Sequence, residues 1–152
     1  MSQENVELVR EAWGAFLTGG IDAALDYYAE DSVCEDWPEL PDRSTYEGRE
    51  GLRERNQQFA EGPWRDFDFE PTDFIDAGEG VVVAVVALRG HGRGSGVPVD
   101  TVAAFVYEVR VGRIARDRAF TSRSQALEAA GLREQAPSQE SLGSATPDRG
   151  VP

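Results

Sequence analysis

The sequence predicts an α+β domain, in which helices from the N-terminal half and one short C-terminal helix pack against a curved antiparallel sheet. Two observations support this prediction. Apolar residues of the N-terminal half recur at three- and four-residue steps, which is typical of helices, whereas from Phe67 onward they follow the pattern of strands. We expect three helices of the N-terminal half to lie on the concave face of the sheet and to enclose a cone with a cavity.

The first predicted helix begins after Ser2 and stops at Gly19-Gly20. A second short helix follows at once and turns back on the first, so that the two form a helical hairpin. A third helix begins after Gly48, and the face between its apolar residues is polar. The apolar positions that mark these helices are Val6, Val9, Trp13, Phe16 and Leu17, then Ile21, Ala24, Leu25 and Tyr28, then Leu52, Phe59 and Ala60.

The strands are predicted from shorter apolar segments that are bounded by turn residues. A short strand at residues 33–37 ends at the proline-bearing segment 38–41, and Phe67 and Phe69 alternate in the next strand. Residues 81–88 form a continuous apolar run, which is typical of a strand buried on both faces. Two further antiparallel strands at 97–110 and 114–121 precede a last short helix at 124–130, which Gly131 ends.

Length and composition indicate one domain. A chain of 152 residues has room for a single core, and its 40% hydrophobic content is ordinary for a globular protein. The prediction is a folded domain at residues 1–132. The tail at 133–152 is predicted to be disordered, because it is rich in Gln, Pro, Ser, Glu and Gly and has almost nothing to bury.

The charge and the cysteine content disfavour several classes of function. Fifteen basic and 28 acidic residues give a net charge of −13, which would repel nucleic acid and anionic membranes. Cys34 is the only cysteine, so that no internal disulfide is expected, and it is interpreted as a small buried residue. With no apolar membrane-spanning segment or export signal, the prediction is a cytoplasmic protein. One cysteine and one histidine fall short of a zinc or iron site, so we predict no metal and no cofactor.

Four segments resemble the SnoaL-like branch of the nuclear-transport-factor-2-like superfamily: YAEDSVCED at 28–36, YEGREGL at 46–52, GRI at 112–114 and ALEAAGL at 126–132. The resemblance runs from about Gln3 to Leu132. It implies a cone of a bent sheet and three helices, usually assembled as a homodimer through the sheet. The family includes polyketide cyclases, ketosteroid isomerases, epoxide hydrolases and many proteins with no known reaction, so the fold does not identify a reaction.

The resemblance also implies candidate catalytic residues. Asp36 takes the place of the aspartate that serves ketosteroid isomerases as general base, and a partly desolvated carboxylate suits that task. The two donors of the isomerase oxyanion hole correspond to Ala12 and Ala104, which cannot donate a hydrogen bond. By the same register the third helix presents Arg55 to the cavity, and the final strand presents Asp117, Ala119 and Thr121. The sequence therefore predicts that Asp36, Arg55 and Asp117 share one pocket.

The complete set of predicted site residues has two parts. Asp36 and Asp117 are the predicted catalytic residues. The residues predicted to contact a small apolar ligand are Trp13, Phe16, Arg55, Asn56, Phe59, Val102 and Thr121, with Trp37 and Trp64 as further candidates for the cavity wall.

Each assignment has a plain structural alternative. Trp13 and Phe16 at helical spacing would also suit an ordinary core, and Asp36 would also suit a solvated strand end. Asp117 could belong to alternating charges at a sheet edge, and Arg55 could pair with Glu54.

Two further features complete the sequence-based predictions. His91 lies among the glycines of residues 90–96, which are interpreted as a mobile hairpin end rather than a catalytic segment or a phosphate loop. Tyr107, Val109 and Val111 are expected on the strand face opposite Ala104 and Val106, where they would cover a second copy of the chain.

Several functions agree with these residues. The leading hypothesis is a cofactor-free isomerase or cyclase that acts on an apolar carbonyl compound, with Asp36 as general base and Asp117 or Arg55 assisting. The first alternative is a non-catalytic binder of an apolar small molecule, because the oxyanion donors are missing. A dimeric scaffold with a closed core is another, and an epoxide hydrolase with an Asp-Arg-Asp set holding a water is a weaker one. Whether the protein is an enzyme stays open at this point.

Overall fold

The computed structural model describes residues 2–36, 44–62 and 64–132. Trp37, the proline-bearing segment 38–41 and the predicted tail at 133–152 lie outside the described residues. In chain order the elements are α1 (Ser2–Ala24), a 3-10 turn (Leu25–Tyr27), β1 (Tyr28–Glu35), β2 (Thr45–Glu47), α2 (Gly48–Ala60), β3 (Trp64–Gly78), β4 (Val81–Gly92), β5 (Pro98–Arg110), β6 (Arg113–Phe120) and α3 (Arg123–Ala129).

The α+β architecture is confirmed, with six strands in one open sheet of order β2-β1-β6-β5-β4-β3. The sheet is mixed rather than wholly antiparallel, so the prediction of antiparallel pairing is wrong for one pair of neighbouring strands. β1 runs parallel to β6, with Cys34 opposite Asp117, while every other neighbouring pair is antiparallel. The two strands are joined by the intervening helix and strands rather than by a hairpin, and such a crossover connection permits parallel pairing.

The N-terminal helical region bends where the paired glycines lie. Gly20 has φ 80° and ψ −173°, a conformation outside the helix, so that two helical segments of α1 meet there at a kink. Only glycine adopts this backbone region without strain. The predicted second helix is shorter than expected, because a 3-10 turn follows it and Tyr28 is already the first residue of β1.

The sheet buries apolar side chains on both faces. Val82, Ala84 and Val86 belong to the larger core cluster beneath α1 and α2. Val83 and Val85, which alternate with them along β4, pack with α3 on the other face. This double burial explains the uninterrupted apolar run that the sequence shows at 81–88.

The faces of β5 are opposite to those predicted. Tyr107 and Val109 lie in the larger core cluster on the helix side, only 3% and 9% exposed, whereas Ala104 and Val106 pack with α3. The expectation that Tyr107, Val109 and Val111 form a surface for a second chain is therefore wrong, although Val111 is fully exposed in the turn after β5. A homodimer through the sheet stays a prediction.

Two features are absent from the described residues. No helix in them has both the length and the apolar character needed to cross a membrane. Nor do the described segments contain three His, Cys, Asp or Glu side chains grouped so that they could hold a metal ion.

Candidate functional site

A cavity of about 490 Å³ lies between the two long helices and the sheet. It is bordered by α1 and α2, by the start and the end of β1, and by side chains of β3 to β6. The lining residues are Ala12, Trp13, Phe16, Ile21, Ala24, Tyr28, Asp36, Tyr46, Leu52, Arg55, Asn56, Gln58, Phe59, Gly62, Trp64, Phe67, Phe69, Leu88, Ala103, Phe105, Tyr107, Asp117 and Ala119. The volume suits a small organic molecule.

Aromatic rings form much of the cavity wall. Trp13 meets Phe16 edge to face at 5.6 Å between ring centroids, and its ring lies 5.4 Å from Phe105. On the α2 side Phe59 lies 4.3 Å from Phe67. Tilted and edge-to-face contacts of this kind hold the rings in fixed orientations. They give the cavity a rigid apolar surface suited to a flat apolar ligand.

A buried ion pair lies at the polar end of the cavity. Arg55 donates from Nη2 to Asp117 Oδ2 at 2.9 Å and from Nη1 to Asp117 Oδ1 at 3.3 Å. The Asp117 side chain is 1% exposed and that of Arg55 is 20% exposed. The Tyr28 hydroxyl donates a third hydrogen bond to Asp117 Oδ2 at 2.7 Å. Asp117 is thus fully engaged, and its partners satisfy the charge that burial would otherwise make costly.

Two further polar groups continue this network into the aromatic wall. Trp13 Nε1 donates to the Tyr107 hydroxyl at 2.9 Å. Burial raises the pKa of Tyr107 well above its ordinary value and Asp117 adds to the increase, while Arg55 and hydrogen bonds with Trp13 and Tyr28 act in the opposite direction. Burial, and then the nearby Asp117, likewise raise the pKa of Tyr28. Both phenols are therefore neutral hydrogen-bonding groups.

Asp36 follows β1 at another part of the cavity lining and is half-buried. Its Oδ2 atom accepts hydrogen bonds from the Ser44 backbone N–H at 3.1 Å and from the Tyr46 hydroxyl at 3.2 Å. Oδ1 accepts no hydrogen bond from the described residues. Burial, followed by the charge of Asp36, raises the pKa of Tyr46, which keeps this phenol protonated as a donor. One carboxylate oxygen is thus held in place, while the other has no hydrogen-bond donor among the described residues.

Cys34 lies behind the ion pair rather than on the cavity wall. It is 2% exposed and pairs across the sheet with Asp117. Burial raises the pKa of its thiol to about 12. The interpretation of Cys34 as a small buried residue agrees with this position.

The structure brings most of the predicted site residues together. Asp36, Arg55 and Asp117 line one cavity, as do the four predicted contact residues Trp13, Phe16, Asn56 and Phe59, and Trp64 joins them. The Asn56 amide makes no hydrogen bond to the described residues. The roles of all these residues in binding or catalysis stay predictions.

Two predicted contact residues lie away from the cavity. Val102 is 42% exposed on the face opposite Ala103, because β5 presents odd-numbered residues to the cavity. Thr121 follows the last residue of β6 and is exposed, with its hydroxyl bonded to Gln125. Ala104 also lies on the face of β5 away from the cavity, because the odd-numbered residues of β5 face the cavity. Ala103 lines the cavity in its place.

His91 is part of β4 rather than of a hairpin loop. It pairs with Arg65 on β3 and with Pro98 on β5. The next arginine, Arg93, donates to the carbonyl oxygens of Ala60, Gly62 and Trp64, at the end of the cavity where α2 leads into β3. This segment therefore supports the rim of the cavity.

Sequence reasoning missed the tyrosines and the phenylalanines of the sheet. The sequence patterns predict Tyr28 in a helix and Tyr107 on the face of β5 away from the cavity, and both predictions are wrong. A signal for the aromatic wall was present, because Phe67 and Phe69, like Phe105 and Tyr107, alternate along their strands. The hydrogen bonds of Tyr28 and Tyr46 to the two carboxylates join distant segments and have no signature in the sequence.

Comparisons with known proteins give a family and a fold. The family model described as the SnoaL-like domain matches residues 9–117. A solved NTF2-like protein from Burkholderia thailandensis has a TM-score of 0.69 at 21% identity, with 81% of this chain and 96% of that chain covered. No curated protein matches the sequence.

Two further solved structures contain small molecules. A protein of Catenulispora acidiphila with a ketosteroid isomerase-like fold, in complex with trimethylamine, has a TM-score of 0.62 at 24% identity and covers 83% of this chain and 93% of its own. TerC, co-crystallised with polyporic acid, has a TM-score of 0.67 at 17% identity and covers 84% of this chain and 98% of its own. At these identities the likeness shows the fold alone.

Proposed function

We propose, from the premise that the chain belongs to the SnoaL-like domain family, that it binds a small apolar carbonyl compound and moves a proton beside the carbonyl without a cofactor. One observation carries the proposal: the half-buried carboxylate of Asp36, of which one oxygen accepts no hydrogen bond from the described residues, borders an aromatic-lined cavity. The two neighbours that were crystallised with small molecules support ligand binding by this fold.

Asp36 acts as the general base in this proposal. Its Oδ1 atom takes a proton from the carbon next to the carbonyl, which leaves an enolate and a protonated Asp36. In an isomerase the same carboxyl group returns the proton to another carbon. In a cyclase the enolate carbon attacks a second carbonyl carbon of the ligand, whose C=O π bond opens to an alkoxide, and this alkoxide takes the proton back from Asp36. The hydrogen bonds from Ser44 and Tyr46 hold the carboxylate in position for the transfer.

Asp117 has a different role from that of Asp36. Three hydrogen bonds occupy its two oxygens, so that it has little capacity to accept a proton from a ligand. It holds Arg55 at the cavity wall, where N–H groups not directed at Asp117 can face a polar part of the ligand. The Asn56 amide, one residue further along α2, can serve the same purpose. Asp117 therefore assists by positioning.

The test uses 2-tetralone, a flat apolar ketone with exchangeable C–H groups beside its carbonyl. We expect the wild-type protein to accelerate the uptake of deuterium from D₂O, measured by mass spectrometry against a buffer control. Asp36→Asn should lower the protein-dependent rate by about 10²-fold or more, because a general base contributes that much. Asp31→Asn changes an exposed carboxylate of β1, the strand that Asp36 follows, and serves as the matched control. An Asp36→Asn variant that exchanges as fast as wild type would contradict the assignment.

A second candidate function is binding without catalysis. It is favoured by the lining alanines, because Ala12 and Ala103 provide no side-chain donor where negative charge would develop on the carbonyl oxygen. A bound ketone would then be recovered with no more deuterium than it takes up in the buffer control. An epoxide hydrolase has less support, since among the described residues the Arg55 guanidinium bonds to Asp117 and not to Asp36.

A further inference from the structure

We propose that the inner end of the cavity is a subsite for a ligand oxygen, of a carbonyl or a hydroxyl group, with the Tyr107 hydroxyl as its hydrogen-bond donor. This inference deepens the proposed function, because it names the chemical group that the cavity would recognise. The catalytic part of this inference rests on the proposed function, whereas the binding of the ligand oxygen does not. Removal of a proton beside a carbonyl leaves negative charge on the oxygen, and a positioned donor is needed there.

Tyr107 is placed by two neighbours. It lies on the cavity side of β5, is 3% exposed and lines the cavity. Trp13 Nε1 donates to its oxygen at 2.9 Å, and the ring of Phe105 stacks along it at 6.2 Å. A phenol oxygen that accepts one hydrogen bond keeps its own proton for donation. The Trp13 contact therefore fixes the hydroxyl beside α1 without using its proton.

The other hydroxyl donors on the cavity wall are committed to charged groups. Tyr28 gives its single proton to Asp117, and Tyr46 gives its proton to Asp36. The Arg55 guanidinium uses one N–H group of each terminal nitrogen for Asp117, and its remaining N–H groups are charged donors rather than hydroxyls. The Tyr107 hydroxyl accepts a hydrogen bond from the neutral Trp13 side chain. It is not bonded to an ionised group of the described residues, so that it can give its proton to a ligand without breaking an ionic contact.

Small side chains also line the cavity that Tyr107 borders. Ala103 lies four residues before Tyr107 on the same face of β5, and Ala12 adjoins Trp13 on α1; both line the cavity. Burial keeps Tyr107 neutral, because it raises the pKa of the phenol well above the ordinary value. The donor is thus available throughout the physiological pH range. An apolar ligand with an oxygen at one edge fits this arrangement.

The test compares 2-naphthol with naphthalene, which differ by one hydroxyl group. Dissociation constants are measured by the quenching of tryptophan fluorescence. We expect the wild-type protein to bind 2-naphthol about 10-fold more tightly than naphthalene, because one hydrogen bond of about 1.4 kcal/mol changes the dissociation constant by that factor. Tyr107→Phe should reduce this ratio to about 1. Tyr27→Phe removes the hydroxyl of a tyrosine that does not line the cavity and should keep the wild-type ratio.

The outcomes separate this inference from the proposed function. An unchanged ratio in Tyr107→Phe would overturn the subsite but leave an apolar ligand cavity intact. If neither probe binds the wild-type protein, both proposals fail. Circular dichroism checks that Tyr107→Phe is folded. If Tyr107→Phe does not fold, Trp13→Phe is used instead, because it removes the donor that orients the Tyr107 hydroxyl. Trp13→Phe should lower the ratio of the two dissociation constants. An undiminished ratio in that variant would count against the subsite.

Discussion

At the scale of single residues, Arg55 and Asp117 depend on each other. Asp117 is 1% exposed, so that an unpaired charge there would carry its full desolvation cost. Arg53 lies two residues from Arg55 on α2, but its partners Asp22 and Glu50 are exposed. The same helix therefore carries one buried and one solvated arginine pair, which makes a direct comparison available.

We predict that Arg55→Met lowers the free energy of unfolding by about 3 kcal/mol, because it strands the buried carboxylate. Arg53→Met should have little effect, since exposed ion pairs stabilise weakly. Urea unfolding followed by circular dichroism measures both changes. Equal, small losses in the two variants would mean that the Asp117 pair is not the buried interaction described above.

Cys34 provides a second prediction at this scale. In the folded protein its pKa is raised to about 12 from an ordinary value of 9.0, so the folded state keeps the thiol proton over a pH range in which the unfolded chain loses it. The burial of Cys34 therefore stabilises the fold fully below pH 9.0, and this contribution is lost as the pH rises toward 12.

We expect the stability difference between wild type and Cys34→Ala to shrink between pH 8 and pH 11, as measured by urea unfolding at each pH. Tyr28 and Tyr107 titrate in both proteins, so the difference isolates the thiol. In addition, 5,5′-dithiobis(2-nitrobenzoic acid) should react with the thiol at pH 8 only after denaturant is added. Rapid reaction of the native protein, or a constant difference, would contradict the buried position.

At the scale of elements, the kink in α1 shows how local backbone chemistry positions the site. The straight part of α1 carries Trp13 and Phe16 to the cavity, and the segment after Gly20 carries Ile21 and Ala24 to the same cavity. A straight helix would separate these two groups along its axis. Gly20 makes the change of direction possible because its φ of 80° with ψ of −173° is closed to other residues.

We predict that Gly20→Ala lowers the free energy of unfolding by about 1–3 kcal/mol, the cost of forcing a side chain into this backbone region. Gly14 is the matched control on the same helix. A Cβ added there meets nothing within 4 Å, so Gly14→Ala should raise stability by about 0.5–1 kcal/mol. Thermal unfolding measures both variants. A neutral Gly20→Ala would show that the kink is not required.

Which elements were predictable follows from their burial. The helices that are buried on one face, and the strands that end at glycine turns, could be located from periodicity. β5 could not be oriented, because Ala103 and Phe105 on one face and Ala104 and Val106 on the other are all apolar. An alternation that is apolar on both faces does not say which face meets a cavity. This one-residue ambiguity misplaced Val102 and Tyr107.

At the scale of the whole molecule, the family resemblance located the charged residues of the cavity and missed most of its aromatic wall. Asp36 could be named because it matches the general base of ketosteroid isomerases, and Arg55 and Asp117 because the same register directs them to the cavity. Their hydrogen-bond partners Tyr28 and Tyr46 depend on how β1 and β2 pair with their neighbours, which no local pattern encodes. The sequence thus predicted the fold and the charges, while the contacts that set their chemistry needed the structure.

The central claim is that the aromatic cavity is the ligand site, and filling it tests the claim most directly. Ala103→Phe places a ring inside the cavity, whereas Val102→Phe adds the same ring one residue earlier on the opposite, exposed face of β5. Titration with 2-tetralone, followed by tryptophan fluorescence, compares both variants with wild type. We predict at least a 10-fold weaker affinity for Ala103→Phe and wild-type affinity for Val102→Phe. Undiminished binding by a correctly folded Ala103→Phe would contradict the claim.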